Sequence, residues 1–308
     1  VPVRLGSLSS FAVRPLVRGN VLAVGAMVMW AAGFPAAEVL LETWPPIALI
    51  VVRLGLALMI MVPLWIWLEG RQSVNNGEWG HAMLVGGLGF GYGTYLLLVA
   101  QWLTDPITVA LVAACTPIAA TVVEMAYGHR RLNLNFVLGL AATVTGGIVA
   151  LGGFDMPQLG AGVICAIAAG LLFSWGSYAA VQDFPRLSPL GSSTVVTVGA
   201  FVMVNLLYVV HGLAGLEVAP TSNVDLAQLG LLAVYALAGM ALSQILLIAS
   251  VARLGVAVAT FHVNMLPFYV MVLLLMLGGS WTWAPAIGAT IVALGVIVSQ
   301  KEHLRPGG

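Results

Sequence analysis

Residues 95–117, YLLLVAQWLTDPITVALVAACTP, can be laid without a gap over residues 245–267, ILLIASVARLGVAVATFHVNMLP. The overlay puts Pro117 on Pro267, each near the middle of an apolar segment. After one residue of slippage in the following loop, Gly139 and Gly146 fall on Gly288 and Gly295, and Trp30 in the first apolar segment has Trp175 as its counterpart in the sixth. Similar apolar composition accounts for part of this match. It accounts less well for paired prolines and equally spaced glycines. The chain thus reads as two copies of one unit, residues 1–155 and 156–308.

Segments of the same character extend in both directions from this pair: 20–41, 46–68, 79–101, 106–127, 134–152, 159–182, 188–211, 227–251, 256–278 and 283–300. A helix of about 20 residues, rising 1.5 Å per residue, crosses a hydrocarbon core of about 30 Å. Barrel strands would be about ten residues long with strict alternation, and no segment alternates in that way. Charged residues make up 7% of the 308 and hydrophobic residues 61%, with a mean hydropathy of +1.05. Soluble domains carry about 25% charged residues. The sequence therefore predicts an all-α polytopic membrane protein with ten transmembrane helices.

The charges give the orientation. Arg4, Arg14, Arg18, Arg71, Arg130, Arg131, Arg186, Arg253, Lys301 and Arg305 all fall on one side of the ten-span arrangement. The other side receives Glu38, Glu42, Asp105, Asp155, Glu217 and Asp225 at or near its helix ends. The positive-inside rule places both termini in the cytoplasm. Five crossings per half is an odd number, so the two repeats must lie in opposite orientations. Inverted repeats permit two nearly equal packings, one open to each side, which is the physical basis of alternating access. Trp44 and Trp102 near the outer ends, with Trp65, Trp67 and Trp79 near the inner ones, fit interfacial belts.

Other classes are poorly supported. The first apolar stretch is too long for a signal-peptide core and runs on into further spans, so its retention is expected. Cys115 and Cys165 both lie in apolar helices and suit packing better than a disulfide or a metal pair. The sequence contains no CxxC, HExxH, P-loop or dinucleotide fingerprint, so no cofactor or metal is expected. Zero net charge without a basic block argues against nucleic acid.

Polar groups at membrane depth are costly unless paired or wetted, which makes them candidates for function. Arg53, seven residues into the second helix, can bind a carboxylate, pair with Glu38 or snorkel outward. Glu124, near the inner end of the fourth helix, is either part of an ion pair with Arg130 or Arg131 or a proton-coupling group. His262 and Asn264 precede Pro267 but stand two residues apart, so they do not share a face of a regular helix. His262 is a second coupling candidate because imidazole titrates near neutrality. Gln244 offers an amide that can donate or accept. Three aromatic pairs share faces: Trp30 with Phe34, Tyr92 with Tyr95, and Trp175 with Tyr178. They suit either ordinary packing or a partly wet cavity for an amphipathic solute. Pro117 and Pro267 remove a helical donor and are candidate kinks or gates, or simply shape the bundle. The run GGLGFGYG at 86–93 and the spaced glycines read as close-packing surfaces.

On these residues the chain resembles the drug/metabolite transporter superfamily, in its ten-helix EamA branch, over about residues 20–300. The matching features are Trp30 and Phe34, Arg53 with Ala57, Thr116-Pro117, the Gly139 and Gly146 spacing, and the second-half Pro267, Gly288 and Gly295. The family's Leu-Gly-Glu at the close of the fourth helix is absent: Tyr127-Gly128-His129 stands there, and Gly278-Gly279-Ser280 in the second half. The resemblance implies a cavity formed by helices 1–4 and 6–9, with helices 5 and 10 to one side. It also implies a bacterial inner-membrane exporter of amino acids, of broad or aromatic preference.

The expected function is therefore a secondary transporter that works by alternating access, not an enzyme. Its partners are a small-molecule substrate, expected to be an amino acid, and membrane lipid; a monomer suffices mechanically. Export or import of another metabolite, a drug or a nucleotide sugar is the alternative within transport. A membrane enzyme or sensor is the alternative of another class.

Overall fold

Hydrocarbon cannot satisfy an open backbone, so a membrane chain must pair its peptide groups within helices or a closed barrel. The computed structural model describes residues 6–75, 77–103, 116–129, 133–150, 160–221, 224–276, 278, 281 and 283–299, and apart from turns these are helical. Helix α1 is Gly6–Leu41, α2 Pro46–Glu69, and α3 the short Arg71–Asn75. Next come α4 Trp79–Leu84, a π-helical segment Val85–Tyr92 and α5 Gly93–Leu103, which run on without a break. Then follow α6 Thr116–Ala126, α7 Leu134–Ala150, α8 Ala161–Gln182 and α9 Pro189–Leu213. The pattern of the third span recurs in α10 Leu226–Ala233, a second π segment Val234–Leu242 and α11 Ser243–Leu254. Helix α12 Val256–Phe261, a 3-10 turn His262–Met265, α13 Leu266–Met276 and α14 Trp283–Ser299 complete the chain.

Among the described residues, six helical stretches are long and apolar enough to cross a membrane, and three shorter apolar helices accompany them. Only 35–50% of the most apolar window of each long stretch is buried in the protein, so the remaining apolar side chains face outward, as a lipid-embedded bundle requires. The protein is an all-α polytopic membrane protein. Helix α1 starts well before the expected residue 20. Cys165 is a free thiol; Cys115, Trp102, the side chain of Glu38 and the Pro267 ring lie outside the described residues and side chains.

Short caps and one glycine set the turns. Ser188 accepts from Gly191 N–H at 3.0 Å ahead of α9, and Asp225 accepts from Gln228 N–H at 2.7 Å ahead of α10. A single residue, Gly255 at φ 78°, joins α11 to α12, a backbone conformation that L side chains resist. In the stretch Val256–Met276, Pro267 has no N–H to offer the Val263 carbonyl. The 3-10 turn supplies it instead from Leu266 N–H.

Glycines set the packing. On α7, a Cβ at Gly139 would stand 2.6 Å from the Gly295 carbonyl of α14, and one at Gly146 would stand 2.7 Å from that of Gly288. The two helices therefore run antiparallel with backbones touching. Helix α1 crosses the second π segment in the same manner, a Cβ at Gly239 falling 3.0 Å from Gly33 Cα. Helix α8 crosses the first, a Cβ at Gly89 falling 2.7 Å from Gly176 Cα. Three residues before the crossing glycine stands Trp30 in α1 and Phe173 in α8, so at these two crossings Phe173, and not Trp175, holds the position that Trp30 holds.

The interfacial tryptophans divide. Trp67 is exposed, whereas Trp44 and Trp65 are buried. Both buried rings keep a partner for their N–H: Trp65 Nε1 donates to Glu69 at 3.2 Å and Trp44 Nε1 to Gln228 at 3.4 Å. Glu69 also accepts from Ser188 Oγ, tying the end of α2 to the start of α9.

Candidate functional site

A cavity of about 570 Å³ lies between the helices, walled by α1, α2, α5, α6, α8, α9, α11, α13, both π segments and the 3-10 turn. No described residue of α7 or α14 lines it. Its volume is within the roughly 300–1,000 Å³ usual for small-molecule sites. Leu41 and Pro46 mark one end; Met27, Leu247 and Val263 form the floor. The floor residues belong to an apolar cluster that continues through Val123, Tyr178, Val251, Leu254 and Phe261. The cavity therefore occupies the half of the bundle at the Leu41–Pro46 end, and the apolar cluster separates it from the other end.

Arg53 is the single charged residue among the described lining residues. Its Nη1 donates to Tyr235 Oη at 3.2 Å, its Nη2 donates to the Gly239 carbonyl, and its guanidinium carbon lies 4.1 Å from the centre of the Tyr235 ring. Tyr235 and Gly239 both belong to the second π segment, so one widened turn grips the guanidinium through a hydroxyl, a carbonyl and a ring face. A side chain at Gly239 would run into Gly33 and crowd the Arg53 Nη2 at 3.6 Å. Arg53 Nε is buried without a hydrogen-bond partner among the described residues, and the same holds for Nε2 of the buried Gln244. The hydroxyls of Ser243 and Thr94 are spent on carbonyls of their own helices, Gly239 at 3.1 Å and Phe90 at 2.6 Å.

Another part of the wall is aromatic. Trp30 stacks on Phe173 with centroids 6.3 Å apart, Phe90 meets Phe173 edge-on at 5.6 Å, and Phe34 lies 6.3 Å from Trp30. One large cavity thus carries both a fixed cation and a ring cluster in its lining.

Of the residues singled out in the sequence, Trp30, Phe34, Arg53 and Gln244 line this cavity. The other candidates stand elsewhere. Tyr92 and Tyr95 stack on each other at 6.0 Å, and Tyr95 meets His211 edge-on at 5.6 Å. Trp175 Nε1 donates to Tyr127 Oη at 3.2 Å, while Tyr178 bonds His129 Nδ1 and packs 4.6 Å from the Tyr127 ring. Both lie beyond the floor of this cavity, because α8 continues past Phe173 away from it. His262 is buried with Nδ1 3.3 Å from the Ala259 carbonyl of its own span. Asn264 is buried and donates to the Thr143 carbonyl of α7 at 3.0 Å. The 3-10 turn directs these two side chains into packing, not into the cavity. Pro117 is buried at the start of the described part of α6, and its carbonyl accepts from Thr121 Oγ1 at 2.7 Å.

Glu124 is buried and accepts the Ala257 N–H at 3.1 Å, at the first turn of α12. Arg130 and Arg131, its expected ion-pair partners, lie outside the described residues. A second cavity, of about 280 Å³, is lined by Glu124, His129, Tyr178 and Arg253 at the end of the bundle opposite Leu41–Pro46.

Sequence reasoning missed Tyr235, Gly239, Phe90, Phe173 and His129. Gly239 was within reach: the 150-residue offset of the repeat carries Gly89 onto it. Nothing in the sequence pairs Tyr235 with Arg53.

Fold and cavity together define a helical membrane protein with a solute-sized internal chamber. Residues 17–152 match the profile of the EamA-like transporter family. A search of curated proteins gave no match. A solved structure titled "Crystal structure of protein" superposes with a TM-score of 0.77 at 20% identity, over 94% of this chain and 99% of that one. At that identity the likeness speaks for the fold.

Proposed function

We propose that the protein is a secondary transporter that exports amino acids from the cytoplasm by alternating access. The observation that carries this reading is the cavity itself: solute-sized, walled by both halves of the chain, and ending at mid-bundle on a packed floor. A chamber reachable from one side only is one of the two states a carrier needs. With both termini in the cytoplasm, the Leu41–Pro46 end faces outward, and the described state is the outward one.

Two inverted five-helix repeats, residues 1–155 and 156–308, would supply the other state. Several contacts support them. The π segments Val85–Tyr92 and Val234–Leu242 lie about 150 residues apart, the offset of the sequence repeat. The crossing of Gly89 with Gly176 is repeated by that of Gly239 with Gly33. The pairs Gly139 with Gly295 and Gly146 with Gly288 exchange under the same operation. The EamA-like match over residues 17–152 supports transport and argues against an enzyme. The sequence has no P-loop, so the energy comes from the solute gradient or a coupled ion, with Glu124 the candidate coupler.

Counterflow in proteoliposomes tests the reading. Saturable exchange of labelled amino acids between pre-loaded vesicles and medium is expected. Linear, non-exchanging flux would indicate a channel. Silence toward amino acids with exchange of another metabolite would keep the carrier and discard the amino acids.

A further inference from the structure

Resting on the transport reading, we propose that the cavity selects amphipathic monocarboxylates with an aromatic tail, read through their carboxylate and ring and not through an amino group. Amino acids are then one tolerated subset of its ligands.

Charge is the first argument. The described lining contains one cation and no acid. Arg53 is held by a hydroxyl, a carbonyl and a ring face, groups that orient a guanidinium without neutralising it. A partly buried cation with no acid among its described neighbours favours an anionic guest. The second argument is the donor inventory. Gln244 is 6% exposed, lines the cavity and leaves Nε2 unbonded among the described residues; Arg53 lines the same cavity and leaves Nε unbonded among them. Both are buried donors, so each side chain, turned toward the chamber, has an N–H to offer a carboxylate.

The third argument is what an ammonium would meet. Gly239 O already receives Arg53 and Ser243, the Thr94 hydroxyl is committed to Phe90, and Trp30 gives one face to Phe173. With no described acid in the lining, an ammonium gains little there and stands near a fixed positive charge. Distance is the last. Arg53 is pinned at Gly239, which touches Gly33, and Gly33 is one helical turn from Trp30 along α1. One turn is about 5 Å along the helix, so the cation and the Trp30 ring belong to neighbouring parts of the wall, within the span of one small aromatic acid.

The test uses the full chain in detergent, with the thermal unfolding midpoint read against 3-phenylpropanoate, phenylalanine and phenethylamine. Ligands that bind the folded state raise the midpoint as mass action dictates. The expected result is comparable stabilisation by 3-phenylpropanoate and phenylalanine, within about threefold in apparent Kd, and none by phenethylamine. Arg53→Gln should abolish both shifts, and Gln244→Leu should weaken them about five- to tenfold. Arg53→Lys keeps the charge but loses Nε–H and the fork geometry; it should retain partial binding. Stabilisation by phenethylamine equal to that by the acids overturns the proposal. So does a preference above tenfold for phenylalanine over its deaminated analogue, or the absence of any shift with either acid. The wild-type ligand panel decides these points even where a variant fails to fold. Counterflow on the same preparation separates the two readings: carboxylate-dependent binding without exchange removes the transporter and leaves the site. Exchange without the head-group preference does the reverse.

Discussion

Arg53 shows how much one side chain depends on a backbone irregularity elsewhere. Its guanidinium is fixed only because the second π segment brings Tyr235 Oη and the Gly239 carbonyl to the same place. Tyr235→Phe keeps the ring under the cation and removes one acceptor. A net hydrogen bond to a charged group is worth about 1.5–3 kcal/mol, discounted here because Arg53 is partly exposed. Ligand affinity should therefore fall about three- to tenfold while the unfolding midpoint moves little, as ligand titration and a thermal scan would measure. Glu124 is a different case, since its carboxylate caps a helix start beyond the cavity floor. Glu124→Gln retains an acceptor for Ala257 N–H and should fold normally; Glu124→Ala leaves that N–H buried and should cost about 1–3 kcal/mol. If Glu124 couples protons, Glu124→Gln should also abolish the response of transport to an imposed pH gradient while counterflow persists. A preserved pH response would remove Glu124 as the coupler.

At the scale of elements, contacts between backbones replace interlocking side chains. Gly139→Leu would push a side chain into Ser299 and the Gly295 carbonyl, less than 3 Å from its Cβ. The α7/α14 pair should come apart, with loss of monodisperse protein in size-exclusion chromatography. Gly170→Ala, with nothing within 4 Å of its Cβ, is the matched control and should behave as wild type. Much of this level was legible in the sequence, because apolar length announces a helix and the repeat puts glycines in pairs. The π segments were not legible. The first packs its glycine run closely against α8 and α9 and the second sets Gly239 against Gly33 of α1, tertiary contacts that periodicity does not carry. For the same reason Tyr92, Tyr95, Trp175 and Tyr178 were read as lining. An i,i+3 pair shares a face, but sequence does not say which neighbour that face meets. Arg53, Trp30, Phe34 and Gln244 were found because large or polar groups at mid-membrane are conspicuous wherever they point.

For the molecule as a whole, the large cavity lies at one end of the bundle and an apolar cluster separates it from the other end. In the proposed orientation accessibility follows. With Cys115 and Cys165 replaced by Ser, Leu41→Cys, an exposed position on the cavity wall, should react with a membrane-impermeant maleimide added from outside intact cells, and 3-phenylpropanoate should slow that reaction. Val251→Cys, buried beyond the floor and lining the second cavity, should stay unreactive from outside. Equal labelling of both would mean a continuous pore.

The bare crossings of Gly33 on Gly239 and of Gly89 on Gly176 also bear on the cost of movement. Peptide planes resting on peptide planes have no rotamers to reset when one helix tilts over another, so such a joint behaves as a bearing and not as a lock. In the proposed carrier, the choice between states would then fall to the side chains that close each end. Because about 1.4 kcal/mol changes a population ratio tenfold, one altered bond such as that of Tyr178 to His129 would be enough to change which door stands open at rest.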